Sequence, residues 1–125
     1  MNKQILCTDS APMAIGTSSQ AVCAEDTACL SGQIGIDAAT GAVAEGLDAQ
    51  IEQVLHQWNA AAAAAGGTLQ DAVKLTVFRT APFVQVNDAM AGHFQRPHPK
   101  RTAIGAATLP RGARVEIDAV PVLER

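Results

Sequence analysis

The apolar residues change to a helical period over one long stretch, and that change limits the architectures open to this chain. Leu47, Ile51, Val54, Leu55, Trp58, Ala61, Ala62 and Ala65 fall on one face at helical spacing. The alanines at 60–65 add high intrinsic helix propensity and permit close packing, and Gly66-Gly67 supplies the stop. The stretch therefore reads as a core helix, not as a low-complexity linker.

The segments around it read as strands. Residues 3–7 form a short first strand, and Asp9-Ser10-Ala11-Pro12 has turn and loop chemistry. Residues 14–20 read as a surface loop before a strand at 20–25. A third strand spans 28–36 and carries Ser31-Gly32-Gln33 in its middle, where an interior glycine signals a bulge or a close backbone approach to a ligand. Asp37-Ala38-Ala39-Thr40-Gly41 closes it. After the helix, Thr68-Leu69-Gln70-Asp71 turns the chain, and residues 72–80 alternate as a strand should. Pro82 fits the first turn of a second helix with Phe83, Val86, Met90 and Phe94 as its apolar stripe. Asn87 falls on or near that stripe, where its amide needs partners or lies at a wet rim.

Two further strands follow, at 102–107 and around Val115, Ile117 and Ala119, with Leu109-Pro110-Arg111-Gly112 breaking them apart. The order is three strands, helix, strand, helix, two strands. Helical crossovers favour parallel pairing, whereas the first three strands and the last two can pair antiparallel. The expected class is α+β, with a mixed sheet of about six strands and both helices on one face. Val115, Ile117, Leu30 and Val22 cannot all lie under two helices, so burial of the other face against further subunits is expected.

Composition removes several function classes. A chain of 125 residues with 48% hydrophobic residues is enough for one cored domain, 1–125. Nine basic against twelve acidic side chains, a net charge of -3, give no footprint for nucleic acid. No apolar run approaches a membrane span and no signal-peptide region opens the chain, so a cytoplasmic protein is expected. Cys7, Cys23 and Cys29 form no C-x-x-C pair and read as reduced, mostly packing thiols. His56 and His93 fall on helix patterns and His98 in a loop, none at ligand spacing; neither a metal nor an organic cofactor is expected.

Two charges stand out. Arg101 opens a strand after a proline-containing segment, and Glu116 sits inside the last strand between Val115 and Ile117. A strand carboxylate so flanked either faces solvent or is held by a partner, and Arg101 on its own reads equally as a surface charge.

Ala14-Ile15-Gly16-x-x-Ser19-Gln20-Ala21-Val22, Leu30-Ser31-Gly32-Gln33-Ile34-Gly35, Val86-Asn87, Pro99-x-Arg101-Thr102 and Leu109-Pro110-x-Gly112-Ala113-x-Val115-Glu116-Ile117 occur in that order. Together, and essentially from end to end, they resemble the Rid/YjgF family of reactive-intermediate deaminases. The resemblance implies a chorismate-mutase-like fold, a homotrimer with clefts between subunits, and hydrolysis of 2-imino or 2-enamino acids to 2-oxo acids and ammonia. Arg101 would bind the substrate carboxylate and Glu116 would position or activate water, with Ser18, Ser31, Gly32, Asn87 and Ala103 lining the cleft.

The chain departs from the family pattern at Thr17-Ser18, where many members have Pro-Tyr, and at Met90, where an aromatic is common. It contains no tyrosine. Ser18 can replace part of the lost hydroxyl through a bridging water, and activity is expected to be weakened, lost or shifted to a bulkier substrate. Ala103 stands where some members carry cysteine, which excludes covalent catalysis there. The competing expectation is a non-catalytic trimer that binds small carboxylates or a partner protein. A ribonuclease, an activity also attached to the family, is disfavoured by the acidic balance and by the lack of paired histidines.

Overall fold

The structure, a computed structural model, describes residues 2–13 and 18–123; residues 14–17 of the expected surface loop lie outside that range. The strands are β1 (Lys3–Leu6), β2 (Ala21–Ala24), β3 (Thr27–Gln33), β4 (Ala72–Arg79), β5 (Lys100–Gly105) and β6 (Val115–Pro121). The helices are α1 (Leu47–Ala64) and α2 (Phe83–Met90). One sheet holds all six strands in the order β1-β2-β3-β6-β4-β5. The class is the α+β arrangement expected from the sequence.

Pairing follows the connections. β1, β2 and β3 form an antiparallel meander, and the α2 crossover lays β5 parallel beside β4. The expected pairing of the last two strands is corrected: β6 does not pair with β5 but runs antiparallel between β3 and β4. With β5 already placed beside β4 by its helical crossover, the space left for the last strand is on the other side of β4. The Leu109–Gly112 break is accordingly no hairpin turn. It is part of a connection that crosses the end of β4, where Ala106 N donates to Arg79 O (2.8 Å) and Thr80 N to Arg114 O (3.1 Å).

This central position of β6 also decides how the expected four residues divide between the two faces. Val115, Ile117, Ala119 and Pro121 are buried, whereas Glu116, Asp118 and Val120 between them are half-buried. Val115, Ile117 and Leu30 lie under the helices, because α1 packs directly over β6 and β3. Only Val22 of the expected four is on the opposite face, level with Ile5 and Cys29. Cys29 and Cys7 are exposed, so Cys23 alone packs as expected of the three thiols.

Trp58, Ile51 and Val54 of α1 are fully buried over Leu75, Val77 and Ile117 of the sheet. Pro82 precedes α2 rather than opening its first turn. Val86 and Met90 enter the core, Phe94 packs on it from beyond the helix end, and Phe83 is 40% exposed. His93 also falls past the end of α2.

Sequence periodicity passed over a second stripe on α1, formed by Gln50, Gln53 and Gln57. Gln57 is fully buried; its Nε2 donates to Gln33 Oε1 (2.6 Å) and Ile34 O (3.0 Å), and its Oε1 accepts from Ile36 N (2.9 Å). Gln53 Nε2 donates to Ile36 O (3.2 Å) and Gln50 Nε2 to Ala44 O (3.1 Å), while Gln50 Oε1 accepts from Arg114 N (2.9 Å). Buried amides satisfied in this way tie the chain after β3 and the approach to β6 to one helix.

Gly35 lets that helix come close. A Cβ at this position would lie 2.5 Å from the Gln50 carbonyl oxygen and 2.9 Å from its Cα. Gly35→Ala is therefore expected to cost about 1–3 kcal/mol by forcing α1 away from the chain. Chemical denaturation of the purified variant measures the loss.

Candidate functional site

Glu116 owes its setting to a bulge in β3. Leu30 pairs with Ala119 and Gln33 with Ile117, so Ser31 and Gly32 together oppose the single residue Asp118. The extra residue keeps both Leu30 and Gln33 buried on the helix side and turns Ser31 and Gly32 toward the open face. The carboxyl group of Glu116 lies over Gly32, close enough that a Cβ there would sit 3.5 Å from its Cδ and Oε2. The interior glycine thus marks both a bulge and a close approach, the approaching group being this carboxylate.

Around it is a cavity of ≈ 510 Å³ whose lining includes Ser18, Ser31, Gly32, Gln33, Arg111 and Glu116. Its wall is fixed by backbone-directed bonds. Ser31 Oγ donates to Ser19 O, and Ser31 N to Gln20 O (3.0 Å). The buried Gln20 accepts from Thr8 N (2.6 Å) and donates to the carbonyls of Thr8 (3.1 Å), Ala11 (3.2 Å) and Pro12 (2.6 Å). Burial, and secondarily the negative charge of Asp118, raises the Glu116 pKa above the ordinary carboxylate value.

Arg101 stands in a different place. Its Nη1 donates to Asn87 Oδ1 (2.8 Å) and its guanidinium carbon lies 5.3 Å from the centre of the Phe83 ring. Asn87, Met90, Phe94, His98, Pro99 and Arg101 line a second cavity of ≈ 500 Å³. Arg101 is level with Leu75 on the helix side of the sheet, whereas Glu116 is level with Phe78 on the open side. β5 and β6 flank β4, and those two levels are three residues apart; the two Cα positions are therefore separated by roughly 10 Å across the strands and roughly 10 Å along them, on opposite faces. Within one chain the two groups do not meet.

The sequence-derived residues thus divide into Ser18, Ser31, Gly32 and Glu116 on one side, and Asn87 and Arg101 on the other. Ala103 lines neither cavity; it is level with Val77 and packs against the core. Sequence reading missed Phe83 as an arginine platform, His98 as a cavity residue and Arg111. The last carried a signal, since it sits beside a glycine in a Pro-Arg-Gly turn, but it was read there only as a breaker. Among the described residues no group of three or more His, Cys, Asp or Glu could hold a metal ion, and no helix is long and apolar enough to cross a membrane.

Known proteins resemble this chain along most of its length. The family model described as endoribonuclease L-PSP matches residues 8–123. A 2-iminobutanoate/2-iminopropanoate deaminase of Dermatophagoides farinae is 38% identical over 125 residues, 98% of each chain. The protein of the same description from Bos taurus is 40% identical over 123 residues, 96% of this chain and 90% of its own. The crystal structure of RidA from an Antarctic Psychrobacter species shares 41% identity, covers 96% of this chain and 99% of that one, and superposes with a TM-score of 0.91.

The raised pKa of Glu116 has a consequence for stability. Its carboxyl holds a proton more tightly in the folded chain than in the unfolded one, so its ionisation opposes folding as pH rises through the folded pKa. Glu116→Gln is expected to raise the thermal midpoint at neutral pH. The gain is small because solvent screens a half-exposed group, and it vanishes as pH falls below the ordinary carboxylate range. Thermal unfolding of both proteins from pH 7 down to pH 3 tests the sign.

Proposed function

This chain belongs to the endoribonuclease L-PSP family, the Rid/YjgF reactive-intermediate deaminases, and on that basis we propose that it hydrolyses 2-imino and 2-enamino acids to 2-oxo acids and ammonia in clefts between the copies of a homotrimer. One observation carries the proposal: Arg101, a guanidinium suited to a carboxylate, and Glu116, a carboxylate suited to activating water, lie on opposite faces of one sheet, so that a second copy is needed to bring an Arg101 to a Glu116. The similar deaminases named above support the chemistry. Ile5, 61% exposed, and Ile104, 43% exposed, lie with Val22, Phe78 and Val120 on the open face and give that second copy apolar surface to cover.

Each residue then has a task. Asn87 holds one nitrogen of Arg101, and the remaining N–H groups of the guanidinium face outward for two parallel bonds to a planar carboxylate. That grip fixes the C=N carbon of the substrate against a water beside Glu116. Glu116 takes a proton from the water as its oxygen adds to that carbon and passes it to the former imine nitrogen, which leaves a neutral carbinolamine and restores the carboxylate. The carboxylate next takes the carbinolamine hydroxyl proton and delivers it to the amine; the C–N bond breaks as the carbonyl forms, ammonia leaves, and the 2-oxo acid remains. A carboxylate with a raised pKa is a better base for the first transfer than an ordinary one. Ser18 and the bonded pair Ser31 and Ser19 supply the polar wall on which the water can be held.

The alternative of a non-catalytic trimer rests on Ser18 standing where a tyrosine is common among relatives. Turnover above the spontaneous hydrolysis of a freshly generated imino acid separates the two readings. Glu116→Gln is expected to lower that turnover by about 10²–10⁴-fold with little change in product binding. Arg101→Ala is expected to lose carboxylate binding.

A mixing experiment tests the shared cleft directly. Equal amounts of Arg101→Ala and Glu116→Gln chains, refolded together, place an intact Arg101 opposite an intact Glu116 in about a quarter of the sites of a random trimer. Each variant alone is expected to be inactive and the mixture to recover about a quarter of parental turnover. No recovery, in a mixture that sediments as a trimer, would show that both residues act within one chain or not at all.

A further inference from the structure

The left-handed backbone at Arg111 calls for an explanation that the proposed chemistry does not give. Its φ of 54° and ψ of 26° place a residue with a long side chain where glycine is the unstrained choice, and Gly112 beside it has a φ of 68°. The turn closes through its own backbone, from Gly112 N to Leu109 O (3.2 Å) and from Ala113 N to Pro110 O (3.0 Å). Nothing in those bonds requires arginine. The side chain, in contrast, reaches seventy positions back along the chain, and its Nη1 donates to Gly41 O at 2.6 Å.

That bond fixes a guanidinium on the wall of the cavity that holds Glu116, Ser31 and Gly32. The charged residues lining this cavity are Asp37, Arg111 and Glu116. Asp37 is turned into its own loop, where its Oδ1 accepts from Ala39 N (2.8 Å) and Thr40 N (3.2 Å). Of the five N–H groups of Arg111, the bond to Gly41 uses one.

We propose that Arg111 is a specificity-determining residue, which reads a second carboxylate at the far end of the substrate side chain and directs the site toward 2-imino acids derived from acidic amino acids. The inference rests on the deaminase reading and deepens it. Arg101 of a neighbouring copy would hold the α-carboxylate, Glu116 would face the C=N carbon, and Arg111 would offset the repulsion that Glu116 exerts on an anionic side chain.

The test compares imino acids generated in place by an amino acid oxidase from glutamate and from leucine. It reads the ratio of their kcat/KM values in the full chain. The parent is expected to favour the glutamate-derived imine. Arg111→Gly and Arg111→Gln should each lower the ratio roughly tenfold or more, while Arg111→Lys, which keeps the charge, should retain part of the preference. Calorimetry with 2-oxoglutarate and 2-oxo-4-methylpentanoate gives the same comparison without turnover. Because glycine relieves the left-handed backbone, Arg111→Gly should unfold no earlier than the parent, so a lost preference is not a lost fold. If the parent turns over both imines and neither Arg111→Gly nor Arg111→Gln changes the ratio, the specificity assignment is overturned and the deaminase reading stands. If the parent turns over neither, the deaminase reading fails and this inference falls with it.

Discussion

Three glutamines on one helix determine where the wall that carries Glu116 stands. A buried amide is tolerated only when its hydrogen bonds are made, and Gln57, with no exposed surface, makes three of them to Gln33, Ile34 and Ile36. Those partners follow directly on the bulge that puts Gly32 beneath Glu116. Gln50 binds Arg114 N, one residue before β6 begins, and β6 carries Glu116 itself. Both strands that frame the carboxylate are thus registered against the same turns of α1. The hydrophobic stripe of that helix supplies adhesion, and the polar stripe beside it supplies position.

The division of charge between the two faces of the sheet follows from alternation and register. β6 must turn Val115, Ile117 and Ala119 toward α1, so the residues between them, Glu116 among them, face the other way. β5 is an edge strand beside β4, and there the same alternation turns Arg101 toward α2 and the side chain of Asn87. A carboxylate and a guanidinium in one chain would otherwise neutralise each other. Kept apart by the sheet, each retains its charge on its own face.

Much of this was legible in the residues. The long helix, the six strands and their order follow from period, turn chemistry and the Gly66-Gly67 stop, each a local signal. The place of β6 was not legible, because strand order is decided by which position beside β4 remains free once α2 has crossed over. Which of Val115, Ile117, Leu30 and Val22 would lie away from the helices was not legible for the same reason. Gly32 announced a bulge or a close backbone approach to a ligand; the bulge is there, and the group that comes close is the chain's own Glu116, whereas Gln50, Gln53 and Gln57 gave no signal. Glutamine on a helix is ordinarily a solvated residue, and only the neighbouring loop reveals it as a buried one. Arg101 and Glu116 drew notice as charges in strands, but their separation to opposite faces depends on registers that no single segment contains.

Trp58 is the sole tryptophan of a chain without tyrosine, and it lies at the centre of the core with no exposed surface and no hydrogen-bond partner for its indole nitrogen among the described residues. An indole so placed emits without relaxation by water, toward the blue end of its range. The near-ultraviolet fluorescence of the protein therefore comes from a single point, where α1 rests on the sheet. It registers the packing of the helix that positions Glu116, on the core side of the sheet. Optically, the core of this molecule carries a label of its own, and the exposed guanidinium of Arg101 carries none.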